Sequence, residues 1–290
     1  MSEALLPPAT DGARSAALSC VGNGKGLLRL AGFTFGITVQ AVFAITVVSL
    51  FSFLRYGVQN NDVHWFATDL SLSLFFAVPH SLLLHPRISG ILKRWIPSEF
   101  YGAFFCLCTC LSLFLIFSTW KTSGQVLWDL NGTAETIVLS AFFGSWISLF
   151  YSLYLTGLGY QTGWTPWMFW YRGEKMPRRE FYPTGIYLWL RHPVYLSFLG
   201  LIWFTPCMTL DHALLTAVWT VYIFAGSILK DERLAFYLGE SYRSYQRRVI
   251  GYPLITWGRL GKLKTDATAG QSKSSDYAAK IDCIVSGHRA

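Results

Sequence analysis

The chain has 290 residues, 52% hydrophobic and 17% aromatic against 14% charged, with a mean hydropathy of +0.36. Soluble domains carry about 25% charged residues, so this composition excludes an ordinary soluble globule and places the chain in the membrane class. The formal net charge of +8 does not call for nucleic acid as a partner, because basic inner loops of a membrane protein account for it.

Residues 1–27 read as a polar N-terminal segment, and Met1 to Asn23 lacks the sustained apolar core of a secretory signal. Residues 28–259 read as one membrane-embedded domain. Its first four spans are expected at about Leu28 to Leu54, Trp65 to Leu84, Phe100 to Trp120 and Thr136 to Leu158. Cys106, Cys108 and Cys110 lie within the third span at a spacing that suits no metal and reads as buried small hydrophobes. The apolar run from Val194 to Leu229 is too long for one crossing. Pro206 disfavours helix at Thr205 and Asp211 is placed to start a new one, so the run predicts a helical hairpin. The expected fold is an all-α integral membrane protein with about six transmembrane helices, the last two forming that hairpin. Residues 260–290, polar and rich in small side chains, read as a flexible tail.

Charge supports this topology. With both termini cytoplasmic, only Arg55 and Lys121 of the 24 Lys and Arg fall on outer loops, which leaves 22 on the inner side. "WTPWMFWYRGEKMPRREF", between the fourth and fifth spans, mixes Trp, Tyr and Arg as an interfacial belt does.

The inner side then collects two polar clusters. Pro193 suits the first turn of the fifth helix, which puts Arg191 and His192 at an N-terminus where unpaired N–H groups favour an anion. Past the sixth span comes "KDERLAFYLGESYRSYQRRV", with the carboxylates of Asp231 and Glu232. Each cluster has a plainer reading. Basic residues at helix ends snorkel to the interface, and Leu234, Leu238, Tyr242 and Tyr245 recur as on any amphipathic surface helix. One hairpin bringing both clusters to the same membrane face favours a shared cytoplasmic pocket, closed by the C-terminal segment.

These residues carry a resemblance. "RHPVYLSF", a hydrophobic hairpin, then "DERLAFYLGESYRSYQRRV" resembles the signature of the integral-membrane methyltransferases that include isoprenylcysteine carboxyl methyltransferase and the phospholipid N-methyltransferases. That pattern is R-H-P-x-Y-x-G, an acidic pair, then F-G-x-x-Y-x-x-Y-x-x-R-V. The closer resemblance is to the branch of bacterial methanethiol S-methyltransferases related to the animal nuclear-envelope protein nurim. It rests on Tyr187-x-x-x-Arg191-His192-Pro193, on "TPCMTLDH", on "FFAVPHSLLLHPRISGILKRW" with His80-Ser81, and on "LTGLGYQ", and covers roughly residues 70 to 252. The chain departs from the pattern at Ser197, where glycine is usual, and at Leu238, where phenylalanine is. In the register of Leu234 and Gly239, the acidic pair falls on Lys230 and Asp231, with Glu232 one place later.

The resemblance implies an enzyme of a bacterial inner membrane, with S-adenosyl-L-methionine as methyl donor held at the approach to the fifth helix and by the C-terminal segment. Its carboxylate would go to Arg191 and the helix N-terminus, and its ribose hydroxyls and ammonium to Asp231 and Glu232. Its adenine would lie among Tyr187, His192 and Tyr195, with Leu196, Tyr242 and Tyr245 completing the cofactor set. The expected acceptor is a small thiol, methanethiol, methylated to dimethyl sulfide; the other acceptors of the wider group, an isoprenylcysteine carboxylate or a phospholipid amine, and a non-catalytic nurim-like role stay open. A thiol reacts as its thiolate. His80 is the candidate general base, although a histidine satisfied by helix-to-helix hydrogen bonds is the plain alternative, and Tyr187 and Tyr195 are candidates for positioning the thiol. The lipid bilayer is the other expected partner, and the sequence fixes no oligomeric state.

Overall fold

The computed structural model describes residues 11–58, 60, 62–177 and 181–263. Five helices in it are long and apolar enough to cross a membrane: α1 (Asp11–Tyr56, apolar from Gly26), α2 (Trp65–Leu84), α4 (Ser98–Thr119), α5 (Thr133–Thr156) and α9 (Leu210–Leu238). The first four lie within a few residues of the expected spans. A short helix, α3 (Pro86–Leu92), follows α2, with His85 capping it through its ring nitrogen. The long apolar run does break around Pro206. It gives α8 (Pro193–Trp203), strand β2 (Cys207–Thr209) and then α9, with Asp211 in its first turn. At 11 residues, α8 reaches only about 16 Å, short of a hydrocarbon core of about 30 Å.

The chain divides into two compact units. The first comprises Met1–Glu180 and Val194–Gly226. Its main core joins Phe53 and Leu54 of α1, Phe76 of α2, Ile116 and Trp120 at the end of α4, Phe142 and Trp146 of α5, Leu201 of α8 and Leu215 and Trp219 of α9. The belt sequence supplies a helix of its own. After the one-turn α6 (Leu158–Gln161), α7 (Trp164–Arg172) lays Trp167 and Trp170 on α1. Trp167 is fully buried and donates to the Gly32 carbonyl at 2.8 Å. A Cβ at Gly36 would stand 2.3 Å from the Trp167 ring, and one at Gly32 would stand 2.4 Å from Trp170. Two glycines one turn apart thus make a notch for two indoles. The turn before α7 is as tight: Gly163 has φ +76°, and a Cβ there would lie 2.0 Å from the Ala103 nitrogen.

At the other end of these helices, β1 (Val126–Asp129) pairs antiparallel with β2 in a small ribbon that the apolar pattern did not predict. The Asp211 carboxylate fastens the loop before it. Oδ2 accepts from Trp120 Nε1 at 3.2 Å, and Oδ1 from Thr122 Oγ1 at 3.2 Å and from the Ser123 N–H and hydroxyl at 3.0 Å each.

The second unit comprises Phe181–Pro193 and Ser227–Ala290. It holds a 3-10 turn at Gly185–Leu188, the last turns of α9, α10 (Glu240–Arg248) and a second 3-10 turn at Gly258–Leu260. Gly239, at φ +59°, makes the bend between α9 and α10. Tyr242, Tyr245 and Val249 form its apolar centre, with Phe181, Leu234, Ala235 and Leu238 packed around them.

A buried ion cluster as candidate cofactor site

Seven of the ten predicted site residues fall in the second unit, where a backbone device sets the geometry. Residues 190 and 250 form a parallel bridge. Beside it, the Arg191 N–H donates to the Ile250 carbonyl at 2.9 Å and the His192 N–H to the Gly251 carbonyl at 3.2 Å. Gly251 donates in turn to the Leu260 carbonyl at 2.7 Å. A side chain at 251 would not fit, because its Cβ would lie 2.6 Å from that carbonyl and 3.4 Å from Arg191 Nη2. This clamp turns Arg191 and His192 inward.

Arg191 is 2% exposed and has many partners. Nη1 donates to the Gln246 carbonyl at 3.3 Å, and Nη2 to the carbonyls of Arg259 at 2.9 Å and Gly261 at 3.2 Å. Nη2 also lies 3.2 Å from Asp231 Oδ2. Its Nε is buried with no hydrogen-bond partner among the described residues. The His192 Nε2 stands 3.2 Å from the same carboxylate oxygen, and its ring lies 5.5 Å from that of Tyr252. The Tyr242 hydroxyl donates to Asp231 Oδ1 at 2.5 Å. One carboxylate therefore answers a guanidinium, an imidazole and a phenol in a place closed to water. Breaking one partner from such a set is costly, about 3–5 kcal/mol, because the other charges stay buried.

Burial holds the His192 imidazole below its ordinary range, against the opposing pull of Asp231. Burial, reinforced by the Asp231 charge, pushes the Tyr242 phenol well up and keeps it a donor. Tyr245 is raised too, chiefly by burial, and its hydroxyl donates to the Tyr187 carbonyl at 2.5 Å, holding the 3-10 turn of Tyr187 in place. Phe181 stacks edge-on against both tyrosines, with ring centroids 5.3 Å apart in each case.

The acidic residues divide. Asp231 is inside the cluster, while Glu232 is exposed and pairs with Arg259. The shifted register is thereby given a structural sense, since Asp231, the residue aligned with the family's second acid, is the buried one. Arg191 was expected to meet the methyl donor's carboxylate together with the helix N-terminus; its Nη atoms meet Asp231 and three carbonyls, and its Nε is the remaining donor. The sequence reading missed Gln246, Gly251, Tyr252, Arg259 and Gly261. Gly251 and Tyr252 come just past Ile250, which follows the R-V end of the motif, but the carbonyl acceptors have no side-chain signature to find. Leu260 and Gly261, in the first stretch of the expected tail, belong to this framework, and residues 264–290 lie outside the described residues.

The other three predicted residues are in the first unit. His80, on α2, has its Nδ1 3.2 Å from Thr109 Oγ1 of α4 and its ring among Phe76, Phe105 and Tyr222. Tyr195 packs half-buried against the main core, and Leu196 lines a shallow hollow with Ser145 and Gly200.

Fold and cluster define a class: an α-helical integral membrane protein with a buried Arg–His–Asp–Tyr set contributed by the two residues before α8, by the last turns of α9 and by α10. Comparison with known proteins narrows it. The chain is 28% identical over 254 residues to methanethiol S-methyltransferase 1 of Bradyrhizobium diazoefficiens, covering 82% of this chain and 86% of that one. It is 29% identical over 194 residues to methanethiol S-methyltransferase of Mycobacterium tuberculosis, covering 65% and 77%. Mouse nurim is 28% identical over 183 residues, covering 59% and 68%. No family model matches the chain, and no solved structure does. These similarities support the resemblance to the methanethiol S-methyltransferases and nurim that the motifs carry.

Proposed function

We propose that the chain is an integral-membrane methyltransferase that transfers the methyl group of S-adenosylmethionine to methanethiol, giving dimethyl sulfide. The observation that carries this reading is the convergence of two separate motif segments, Arg191-His192 and Tyr242, on the buried carboxylate of a third, Asp231, in a chain whose relatives are named methanethiol S-methyltransferases. The residues suit the donor's chemistry. The buried, unpartnered Nε of Arg191 is a donor fit for a carboxylate, and Asp231 and Glu232 are acceptors for ribose hydroxyls and an ammonium. Phe181, Tyr242 and Tyr245 make an aromatic group fit for a purine. The motif adds Tyr187, His192, Tyr195 and Leu196 to this set.

When bound, the cofactor supplies an electrophilic methyl on a sulfonium. The chain must then orient a thiol, exclude water and take one proton, since the thiolate is the nucleophile. In this reading His80 takes that proton and Tyr187 positions the sulfur. The Arg191 hub fixes the cofactor-binding stretches, so that little reorganisation is left for the reaction itself. The reading places both termini on the cytoplasmic side of a bacterial inner membrane, with α8 as the short first arm of a sixth crossing; the 22-to-2 charge asymmetry supports that orientation.

Lys230, Ser197 and Leu238 depart from the motif and favour a second reading, a nurim-like protein without catalysis. S-adenosylhomocysteine binding to the purified protein in micelles, followed by headspace measurement of dimethyl sulfide from methanethiol, decides between them. Binding with product formation is expected. Absence of binding removes the enzyme, and binding without dimethyl sulfide removes methanethiol as acceptor.

A further inference from the structure

A separate polar column runs through the first unit along α2. Asp69 and Ser73 stand one turn apart on this helix, and both are 0% exposed. Asp69 Oδ1 accepts the Lys121 N–H at 3.0 Å. Asp69 Oδ2 and Ser73 Oγ have no hydrogen-bond partner among the described residues. A helical serine ordinarily donates to a carbonyl one turn back, as Ser71 does to Ala67 at 2.7 Å, and Ser73 does not. Across from them on α9, the buried Trp219 Nε1 is likewise without a partner among the described residues.

These groups share one seam. Positions 69, 73, 76 and 80 follow a single face of α2. Asp211, Trp219 and Tyr222 of α9 meet that face in the same order. The Asp211 charge acts on Asp69, the Trp219 ring lies 5.4 Å from Phe76, and the Tyr222 ring lies 6.3 Å from His80. The seam leads from the half-buried loop at Lys121 down α2 to His80, about 16 Å along the helix. The groups facing its outer end are Lys121, whose ammonium is 3.7 Å from Asp62, and Asp211; those facing its inner end are Thr109 and Tyr222. Buried polar atoms in native proteins pair with protein or with ordered water. Several lone ones in a row between two membrane helices mark a site for water.

We propose that Asp69, Ser73 and Trp219 bind a file of water between α2 and α9 that carries a proton from His80 to the loop at Lys121. The inference rests on the reading that His80 deprotonates the thiol. The thiol S–H bond breaks and its proton goes to the imidazole; the sulfur electron pair forms the new S–CH3 bond as the donor's S–CH3 bond breaks. The proton then passes over water and the Ser73 hydroxyl to the Asp69 carboxylate and on to bulk water, which restores neutral His80. Asp69 and Ser73 are relay residues and touch no substrate.

Infrared spectroscopy of the purified protein tests the site without turnover. A protonated-carboxyl band that shifts in heavy water, titrates with bulk pH and vanishes in Asp69→Asn is expected. Turnover tests the relay. Asp69→Asn should lower kcat roughly tenfold and raise the solvent isotope effect, with S-adenosylhomocysteine affinity unchanged. Ser73→Ala, a milder change that spares the fold, should shift both in the same direction by less. Absence of an Asp69-dependent band, or a kcat and isotope effect equal to the parent in both variants, overturns the proposal. Full turnover in His80→Gln overturns the base assignment and the relay with it, while S-adenosylhomocysteine binding keeps the methyltransferase reading separately testable.

Discussion

One helix, α9, carries two aspartates buried to the same degree, Asp211 at 5% exposure and Asp231 at 4%. Their surroundings share almost nothing. Asp211 is met by an indole, two hydroxyls and a backbone N–H, all neutral, which tie the loop after α4 to the start of α9. Asp231 is met by a guanidinium, an imidazole and a phenol. Neutral donors satisfy a carboxylate and leave nothing over for a ligand. A buried guanidinium beside a carboxylate, with a titratable imidazole and a phenol on the same group, makes a set that can be redistributed when a polar ligand arrives, and such sets cluster at functional sites. Burial does not separate the two carboxylates; the guanidinium beside Asp231 and the purely neutral donors around Asp211 do.

The largest break in this contrast is expected from Arg191→Ala. It leaves Asp231 buried without its cation and frees three carbonyls, so chemical unfolding in micelles should show a loss of about 3–5 kcal/mol, together with loss of S-adenosylhomocysteine binding. Next comes the paired test of the two aspartates. Asp231→Asn should weaken S-adenosylhomocysteine by about 10- to 100-fold, as for a hydrogen-bonded charged group, without preventing membrane insertion. Asp211→Asn should cost about 1–2 kcal/mol of stability and leave that affinity at the parent value. Equal effects of the two on the ligand would erase the distinction.

Both the fold and the site were legible in part, for reasons visible in single residues. The spans follow from hydropathy, and Pro206 with Asp211 announced the break before α9. The site's charged members stood in motifs. Arg191 was visible as a cation, but not that carbonyls from residues 246, 259 and 261 would occupy it, because backbone acceptors leave no trace in residue type. The Gly32–Gly36 notch was hidden likewise, since its partners Trp167 and Trp170 lie over 130 positions away and read as an interfacial belt. The register of the motif set Asp231 and Glu232 one place apart without saying which is buried; the face each takes on α9 buries the first and exposes the second.

Acidity sharpens the contrast more gently. His192 has a folded-state pKa below its unfolded value of about 6.5, so the fold favours the neutral imidazole. Its contribution to stability is fully present above about pH 6.5 and falls away as pH drops through the folded value, where the unfolded chain binds the extra proton. Thermal stability followed from neutral to mildly acidic pH should decline in the parent and decline less in His192→Gln. The smallest effect belongs to Glu232→Gln. Its exposed pair with Arg259 should be worth under about 1 kcal/mol and should weaken further with added salt.

The Arg191 hub also bears on where this protein can be cut or fused. Two of the carbonyls that it grips, those of Arg259 and Gly261, sit just ahead of the last described position, and the Leu263 N–H ties that stretch back to Gln246 at 3.2 Å. A stop codon before Arg259 would strip the guanidinium of both acceptors and loosen the segment that carries Tyr242 and Tyr245. One placed after Leu263 would keep each of these contacts, which makes that position the one to try first for a reporter or an affinity handle.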